Sequence, residues 1–292
     1  RAMEVAAAGS HNIIMVGAPG SGKTMLAKRL PSILPPLTIE EALETTKIHS
    51  VAGKMSVNQS IVSVRPFRNP HHTISDTALV GGGSYPQPGE ISLAHNGVLF
   101  LDELPEFKRN VLEVLRQPME ERKITIARTK QTSEYPASFM LVAAMNPCPC
   151  GYYNHPTQAC TCGLGAVNKY LNKVSGPLLD RIDIQLEVVP VPFKELSTLK
   201  EGESSEVIRK RVIEARKIQQ ERYKNLPIFS NSELNAKLIK QFCVLSTDCE
   251  SLLKTAITKF NLSGRSYDRI LKLSRTIADL DGAENISVSH IA

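Results

Sequence analysis

One segment of eight residues constrains the fold of this chain more than any other. Residues 17–24 read Gly-Ala-Pro-Gly-Ser-Gly-Lys-Thr and match the pattern G-x-x-x-x-G-K-[ST] at every position. The apolar run Ile13–Val16 precedes the segment and helix-forming residues continue from Lys23 to Leu30, so the sequence predicts a strand, a loop and a helix. Glycines in such a loop let the backbone approach phosphate oxygens, and the helix N-terminus and Lys23 add positive charge. We therefore expect a nucleotide site made of Gly17, Ala18, Pro19, Gly20, Ser21, Gly22, Lys23 and Thr24, with Thr24 also binding Mg²⁺.

An acidic pair follows the second apolar run. Val98–Leu101 is apolar throughout, and Asp102 and Glu103 come directly after it. At the end of a buried strand, the first carboxylate could orient Mg²⁺ and the second could polarise an attacking water. The alternative is that the pair only opens the next helix, where negative charge favours the helix dipole. Because the phosphate loop lies upstream, we predict that Asp102 binds the metal and Glu103 is catalytic.

Strands that alternate with helical segments predict an α/β fold with a mostly parallel sheet covered on both faces. Further strands are predicted over residues 139–144 and 182–189. Asn146 follows the first of them, so a parallel sheet would bring its amide beside the acidic pair at the carboxyl edge. Asn146 is therefore a candidate contact for the γ-phosphate or the water, although an Asn before Pro147 could equally be a turn residue.

Three other segments have distinct patterns. Residues 108–121 read as one helix, and the alternation from Lys123 to Arg128 predicts a hairpin that turns near Thr129 and returns towards Tyr135. After Pro192 the sequence becomes polar and then helical in pattern. We expect a nucleotide-binding core over residues 1–196 and a helical lid over residues 197–292.

Four cysteines lie within fifteen residues, in two Cys-x-Cys pairs that are each followed by glycine. Four thiolates can bind Zn²⁺ tetrahedrally and so fix a loop that has little core of its own. Free thiols and an iron–sulfur centre are the alternatives, and His155 between the pairs is a possible substitute ligand. We predict a structural zinc site formed by Cys148, Cys150, Cys160 and Cys162.

Composition narrows the class of protein. The chain has 292 residues and a formal net charge of +6, which favours polyanionic partners, although a bound nucleotide could account for part of that charge. No apolar run has the roughly 20 residues of a membrane span, and no secretory signal pattern is present at the N-terminus. We expect a cytoplasmic protein without a membrane partner, and a start at Arg1 suggests a fragment.

Several motifs together resemble a known family. The phosphate loop, Val98–Glu103, Asn146 and residues 178–183 follow one another in the order typical of AAA+ ATPases. A narrower resemblance is to the magnesium-chelatase-like group, in its bacterial ComM/YifB branch. The segments that carry it are Arg65-Pro66-Phe67-Arg68, Pro70-His71-His72-Thr73, Leu79-Val80-Gly81-Gly82-Gly83, residues 88–95 and Ser175-Gly176-Pro177.

This resemblance implies roles for two arginines. Arg181 is similar to the arginine finger that one AAA+ subunit inserts into its neighbour's site, which implies a ring, usually a hexamer. The alternative is an ordinary ion pair with Asp180 or Asp183. Arg265 resembles the lid arginine that contacts the nucleotide, and Arg269, one helical turn away, is the alternative.

The resemblance also implies two departures from a minimal AAA+ core. Residues 65–93 resemble a helix-2 insert, and residues 124–135 resemble the hairpin before the sensor strand, both of which face the pore in related ring motors. Lys123, Arg128 and Lys130 would then bring positive charge to DNA phosphates. A solvated hairpin with ordinary surface lysines is the alternative. Members of this branch also carry a domain upstream of the ATPase core, which we expect to be missing here.

Together these features predict a Mg²⁺-dependent ATPase that forms a homo-oligomeric ring, binds ATP and moves DNA, as the resemblance implies for branched intermediates. One alternative is a chelatase-type motor subunit that drives metal insertion through a partner protein. A second is a nucleotide-gated interaction module that binds ATP with little turnover.

Overall fold

The chain folds into two compact units. A computed structural model describes residues 1–56, 58, 60–83, 86–128, 131–190 and 202–292. The larger unit contains residues 12–31 and 36–201, and the smaller one contains residues 1–11, 32–35 and 202–292. Among the described residues, no helix has both the length and the apolar character needed to cross a membrane.

A five-stranded parallel sheet forms the centre of the larger unit. Its strands are β1 (Ile13–Val16), β2 (Phe67–Arg68), β5 (Val98–Leu101), β8 (Met140–Met145) and β9 (Ile184–Glu187). They lie in the order β2-β5-β8-β1-β9, and every neighbouring pair is parallel. The inner strands are apolar along their whole length because helices cover both faces of a parallel sheet. The predicted α/β class and parallel sheet are confirmed.

The helices of this unit follow the strands or lie in the insert between them. Helix α2 (Lys23–Arg29) begins with the last two residues of the phosphate loop. Helix α3 (Ile39–Val51) is preceded by its N-cap Thr38, which forms a capping box with Glu41. The others are α4 (Asp76–Val80), α5 (Glu90–Leu93), α6 (Arg109–Glu113), α7 (Arg116–Glu121), α8 (Leu164–Leu171) and α9 (Gly176–Leu179), with short 3₁₀ helices at Leu30–Ser32 and Leu104–Glu106.

One predicted helix is in fact two. The single helix expected over residues 108–121 breaks after Glu113, and α7 begins at Arg116. Pro118 explains the break, because it has no N–H to donate to the carbonyl of Val114 and its ring would clash there. In the first turn of α7 the same proline removes no intrahelical hydrogen bond.

Two smaller antiparallel pairs lie outside the main sheet. Strands β6 (Lys123–Arg128) and β7 (Gln131–Pro136) form the predicted hairpin, with Ile124 opposite Tyr135. Strands β3 (Gly81–Gly82) and β4 (Gln87–Pro88) pair within the segment that resembles an insert. That segment is held to the sheet through β2 and through Arg68, whose guanidinium donates two hydrogen bonds to the Glu90 carboxylate at 2.6 and 2.7 Å.

The smaller unit is helical, which confirms the predicted C-terminal helical domain. Four of its helices begin at a serine or asparagine whose side chain accepts a backbone N–H: Ser204, Asn235, Ser246 and Ser263. Helix α1 (Ala2–Gly9) joins this unit as well, which the sequence did not predict. The predicted domain boundary falls in residues 191–201, outside the described residues, and stays a prediction. The C-terminal helices are Ser205–Tyr223, Ala236–Phe242, Thr247–Phe260, Gly264–Leu280 and Val288–Ile291, with a 3₁₀ helix at Asn231–Glu233.

A buried polar network centres on Asp279, which is 2% exposed. Its carboxylate accepts two hydrogen bonds from Arg222, at 2.6 and 2.9 Å, and one each from Arg275, at 3.1 Å, and Asn231, at 2.8 Å. Asp279 and its hydrogen bonds raise the pKa of Arg222 above its ordinary value, although burial by itself lowers it. Two guanidinium groups therefore depend on one buried carboxylate.

Replacing Asp279 with Ala is expected to lower the free energy of unfolding by ~3–5 kcal/mol, because both arginines would remain buried without their counter-charge. The measurement is urea unfolding followed by circular dichroism. Asp281→Ala is the matched control: Asp281 is 47% exposed and pairs with an equally exposed Arg1. We expect that variant to lose less than about 1 kcal/mol. Equal losses for the two variants would contradict a special role for Asp279.

Candidate nucleotide and metal sites

The phosphate loop joins the end of β1 to the start of α2 at the carboxyl edge of the sheet. Gly17 donates its N–H to the carbonyl of Met145 at 3.2 Å, and a Cβ at Gly17 would overlap the carbonyl oxygen of Val188. Gly20 and Gly22 have φ angles of 78° and 91°, which residues with a side chain rarely adopt. The glycines are therefore required by the close backbone packing and by the turn itself.

Lys23 occupies the centre of this loop and is only 8% exposed. Its Nζ donates to the carbonyl oxygens of Gly17 and Ala18, both at 2.8 Å, and to Oδ1 of Asn146 at 3.3 Å. Burial lowers the pKa of Lys23, and the carboxylate of Asp102 opposes that shift. The ammonium group thus lies between the loop and the end of β8.

Thr24 and Asp102 are in direct contact. Thr24 Oγ1 donates to Asp102 Oδ2 at 2.7 Å, and the other carboxylate oxygen, Oδ1, accepts the N–H of Glu103 at 3.0 Å. A hydroxyl and a carboxylate are hard oxygen ligands of the kind that Mg²⁺ prefers. These two residues could therefore hold a magnesium ion, which stays a prediction. Lys23, Thr24, Asp102 and Asn146 are therefore all brought together.

Glu103 differs from its neighbours in exposure and backbone shape. Its φ of 55° lies in the left-handed region, which is uncommon for a non-glycine residue, and its side chain is 61% exposed. Glu103 Oε2 lies 3.3 Å from Nδ1 of His72, whose ring packs edge-on against Phe107. In the sequence His72 stands out only as part of a motif, and nothing in the spacing indicates that it contacts Glu103.

Arg181 lies at the opposite edge of the sheet. The Arg181 carbonyl accepts a hydrogen bond from Asn12, the residue before β1, and β1 and β9 are paired in parallel with Ile13 opposite Ile184. The phosphate loop starts at the other end of β1, about five residues or roughly 15 Å away. The Arg181 guanidinium therefore does not reach the phosphate loop of its own chain.

Arg265 belongs to the helical unit. It is exposed in the first turn of helix Gly264–Leu280, two residues after the N-cap Ser263. Arg269 lies one turn further and donates to Ser266 Oγ at 3.1 Å. The role of Arg265 in nucleotide binding stays a prediction.

The four clustered cysteines converge. Their sulfur atoms all lie within 4.8 Å of one another, with Cys148 Sγ 3.3 Å from Cys150 Sγ and 3.7 Å from Cys160 Sγ. The N–H of Tyr153 donates to Cys148 Sγ at 3.3 Å, and the N–H of Tyr152 is the main cause that lowers the pKa of Cys150 to about 5. A backbone N–H favours the thiolate of Cys160 and of Cys162 as well, but burial and the neighbouring sulfurs of Cys148 and Cys150 raise the pKa of both thiols instead. The four sulfurs at these positions could hold a metal ion.

Comparison with protein families matches both parts of the chain. The family described as magnesium chelatase, subunit ChlI, matches residues 1–196, and its C-terminal counterpart matches residues 202–292. The chain belongs to the magnesium chelatase ChlI family. The family membership and AAA+ fold expected from the motifs are thereby confirmed.

Several relatives match this ChlI-family chain from end to end. The chain is 48% identical over 292 residues to the uncharacterized protein YifB of Salmonella typhimurium, and 48% identical over 299 residues to the competence protein ComM of Haemophilus influenzae. Each match covers 100% of this chain and 56% of the relative, so the chain spans little more than half of their length. The magnesium-chelatase 67 kDa subunit of Chlorobaculum parvum is 26% identical over 137 residues, which cover 46% of this chain and 19% of that protein.

The hairpin of this ChlI-family chain begins with a cross-strand ion pair. Lys123 Nζ lies 2.9 Å from Glu134 Oε2, and that carboxylate raises the pKa of Lys123. Lys130 and the side chain of Arg128, the other two cations expected to contact DNA, lie outside the described residues. Their role at the hairpin tip stays a prediction.

The cysteine loop of this ChlI-family chain contacts the phosphate loop directly. Gly151, which follows Cys150, has a φ of 88°, and a Cβ there would overlap the ring of Pro19 in the phosphate loop, lying 2.7 Å from its Cγ. A cavity of about 330 Å³ lies beside this contact, between Gly17, Tyr153 and Val188. The structure thus brings the metal-binding candidate against the nucleotide-binding candidate.

Gly151→Ala is expected to cost ~1–3 kcal/mol of folding free energy, since the new Cβ would meet Pro19 and the backbone is left-handed. Gly163→Ala is the matched control, because Gly163 follows the second Cys-x-Cys pair and has a φ of −65°. A Cβ at Gly163 would meet no atom of the described residues within 4 Å. Chemical unfolding of both variants provides the measurement. A Gly151→Ala protein as stable as Gly163→Ala would argue against the contact.

Proposed function

We propose that this chain is the ATP-hydrolysing module of a ring-forming AAA+ motor that acts on DNA. The observation that carries the proposal is the group of four side chains at the carboxyl edge of the sheet, where Lys23 contacts Asn146 and Thr24 contacts Asp102. Family membership supports nucleotide hydrolysis in general, and the chain's own residues suggest how each step would be performed.

Lys23 and the backbone of residues 17–22 would bind the β- and γ-phosphates, since the loop presents N–H groups and the helix N-terminus. Mg²⁺, when held by Thr24 and Asp102, would neutralise charge on the phosphate oxygens. Asn146, already hydrogen-bonded to Lys23, would orient the γ-phosphate or the attacking water.

Glu103 would act as the general base. Its carboxylate would accept a proton from water as the water oxygen bonds to the γ-phosphorus and the bond to the ADP leaving oxygen breaks. The products are ADP and inorganic phosphate. The high exposure of Glu103 suits a residue that meets a water delivered from solvent, and His72 lies close enough to orient it.

Arg181 would complete the site of a neighbouring copy. Because it lies at the sheet edge opposite its own phosphate loop, it could stabilise charge on a γ-phosphoryl only in trans. A trans contribution needs a homo-oligomer, and the AAA+ resemblance implies a ring, usually a hexamer. A monomer should bind ATP but hydrolyse it slowly.

DNA is the proposed substrate because the chain carries a net charge of +6 and the hairpin segment contains Lys123, Arg128 and Lys130, of which Lys123 pairs with Glu134. The resemblance to the ComM/YifB branch extends this to branch migration or helicase-like movement. A chelatase-type motor that drives metal insertion through a partner is the second candidate, favoured by the match to the Chlorobaculum subunit.

A structural Zn²⁺ is the metal we propose for the cysteine cluster. Four sulfurs within 4.8 Å of one another suit a closed tetrahedral site, in which the protein supplies every ligand. The ion would fix the loop that leads from Asn146 to Gly151, and so hold that loop against Pro19.

Glu103→Gln is expected to lower kcat for ATP by about 100-fold or more with little change in KM, because the amide cannot accept the proton. Phosphate release is measured with and without single-stranded and forked DNA. Glu121→Gln is the control, since Glu121 is an exposed acid at the end of α7 whose carboxylate accepts a hydrogen bond from Gln117. A wild type as slow as Glu103→Gln when assembled and supplied with DNA would favour the nucleotide-gated module. Stimulation by a chelatase partner and indifference to DNA would favour the second candidate.

Zinc content tests the metal proposal. Protein purified without chelators is expected to carry close to one zinc ion per chain, measured by inductively coupled plasma mass spectrometry. Cys150→Ser is expected to lose most of that zinc. Cys243→Ala is the control, because Cys243 is buried in the helical unit, outside the cluster. Absence of zinc from the wild type, or equal loss in both variants, would remove the proposal.

A further inference from the structure

The guanidinium of Arg181 is held by its own subunit. Nη2 forms an ion pair with the carboxylate of Glu120, and Nη1 donates to the carbonyl of Pro177 at 2.5 Å. The Arg181 side chain is 12% exposed, whereas that of Glu120 is 55% exposed. Nε of Arg181 is buried and has no hydrogen-bond partner in the described part of the chain. The pair thus restrains Arg181 without satisfying every donor of the guanidinium.

Glu120 lies in the last turn of α7, immediately before the hairpin. The helix ends at Glu121, Arg122 follows it as the C-cap with a φ of 57°, and β6 begins with the next residue. The carbonyl of Arg122 accepts the N–H of Ala137 at 2.8 Å, and Ala137 directly follows β7. One residue therefore joins the end of α7 to both strands of the hairpin, so a displacement of the hairpin acts on the turn that carries Glu120.

The segment that carries Arg181 is also attached to α6 and the turn before it. Ser175 Oγ donates to Glu113 Oε1 at 2.6 Å, and Lys173 Nζ lies 3.3 Å from Glu106 Oε1. The Lys173–Glu106 contact involves neither α7 nor the hairpin, whereas Glu113 also accepts a hydrogen bond from Arg116 Nη1, in the first turn of α7, at 2.8 Å. The two contacts can keep the Arg181 segment in place while the Glu120 contact breaks, because water can replace the arginine at Glu120, which is 55% exposed, and Arg181 keeps its hydrogen bond to the Pro177 carbonyl.

We propose that Glu120 is a positioning residue that holds Arg181 within its own subunit and releases it when the hairpin engages a nucleic-acid backbone. This inference rests on the proposed trans role of Arg181. It adds a route by which substrate contact changes turnover: the hairpin moves the end of α7, the Arg181–Glu120 pair opens, and the guanidinium becomes available to the neighbouring copy. Glu120 therefore acts through Arg181 and does not touch the nucleotide.

The test compares ATP turnover of the full chain at concentrations where light scattering shows assembly, with and without a forked DNA duplex. Glu120→Gln is expected to raise the DNA-free kcat about fivefold, equivalent to ~1 kcal/mol at 25 °C, and to leave KM for ATP unchanged. The DNA-bound rate should stay near that of the wild type, so the stimulation ratio falls by the same factor. Glu120→Ala should raise the DNA-free kcat by a similar factor, which would show that the effect does not come from the glutamine amide.

Glu121→Gln is the matched control, since it removes the same charge one residue later and its carboxylate accepts only from Gln117 among the contacts described for it. If Glu120→Gln equals Glu121→Gln in DNA-free turnover, or slows the DNA-free reaction, the inference is overturned.

Arg181→Ala separates the restraint by Glu120 from the trans role of Arg181. If the assembled Arg181→Ala ring hydrolyses ATP at the wild-type rate, the trans role of Arg181 is overturned. If Arg181→Ala is inactive and Glu120→Gln has the wild-type DNA-free rate, only the restraint by Glu120 is overturned. The DNA-free turnover of Glu120→Gln relative to wild type tests the restraint even if DNA does not stimulate the wild type.

Discussion

The parallel pairing of β1 with β8 and β9 is the constraint on which the rest of this structure depends. Because Val16 lies opposite both Met145 and Glu187, the three strands end together and the segments that follow them share one edge of the sheet. The phosphate loop leaves β1 there, and Asn146 leaves β8 there. Since β5 pairs with β8 in the same sense, the acidic pair arrives at that edge as well. A single register error would separate Lys23 from Asn146, because each residue of slip moves a strand end by about 3.3 Å.

The same strand register also places Arg181 far from the phosphate loop. Residues before a strand lie at the amino edge, so Arg181 and Asn12 meet there, a strand length away from the phosphate loop. A cation at that edge cannot serve the site of its own chain. One edge of the sheet therefore carries half of a nucleotide site, and the other edge carries Arg181, the candidate contribution to the site of another copy. Both positions depend on β1 and β9 running in parallel.

The backbone around the phosphate loop and the cysteine loop is packed too closely to admit added side-chain atoms at two glycines. Gly17 faces the carbonyl of Val188, and Gly151 faces the ring of Pro19, so neither position has room for a Cβ. Strand β9, the phosphate loop and the cysteine loop are consequently packed closely through their backbones and one rigid proline ring. Such packing has few soft degrees of freedom, because these atoms cannot change rotamer to relieve a clash.

The sequence by itself determined the elements with strong local signals: the phosphate loop between β1 and α2, the apolar strand before Asp102, the hairpin, and the two Cys-x-Cys pairs. These signals depend on residues close in the chain, through alternation, glycine conformation and side-chain chemistry. The break before Pro118 also follows from a local rule, although helical periodicity alone predicts one continuous helix there. Only the tertiary structure decided the contacts between distant segments: His72 beside Glu103, Glu120 beside Arg181, and helix α1 with the C-terminal helices. Such pairs depend on where crossovers and loops deliver each residue, and spacing along one sequence does not encode that.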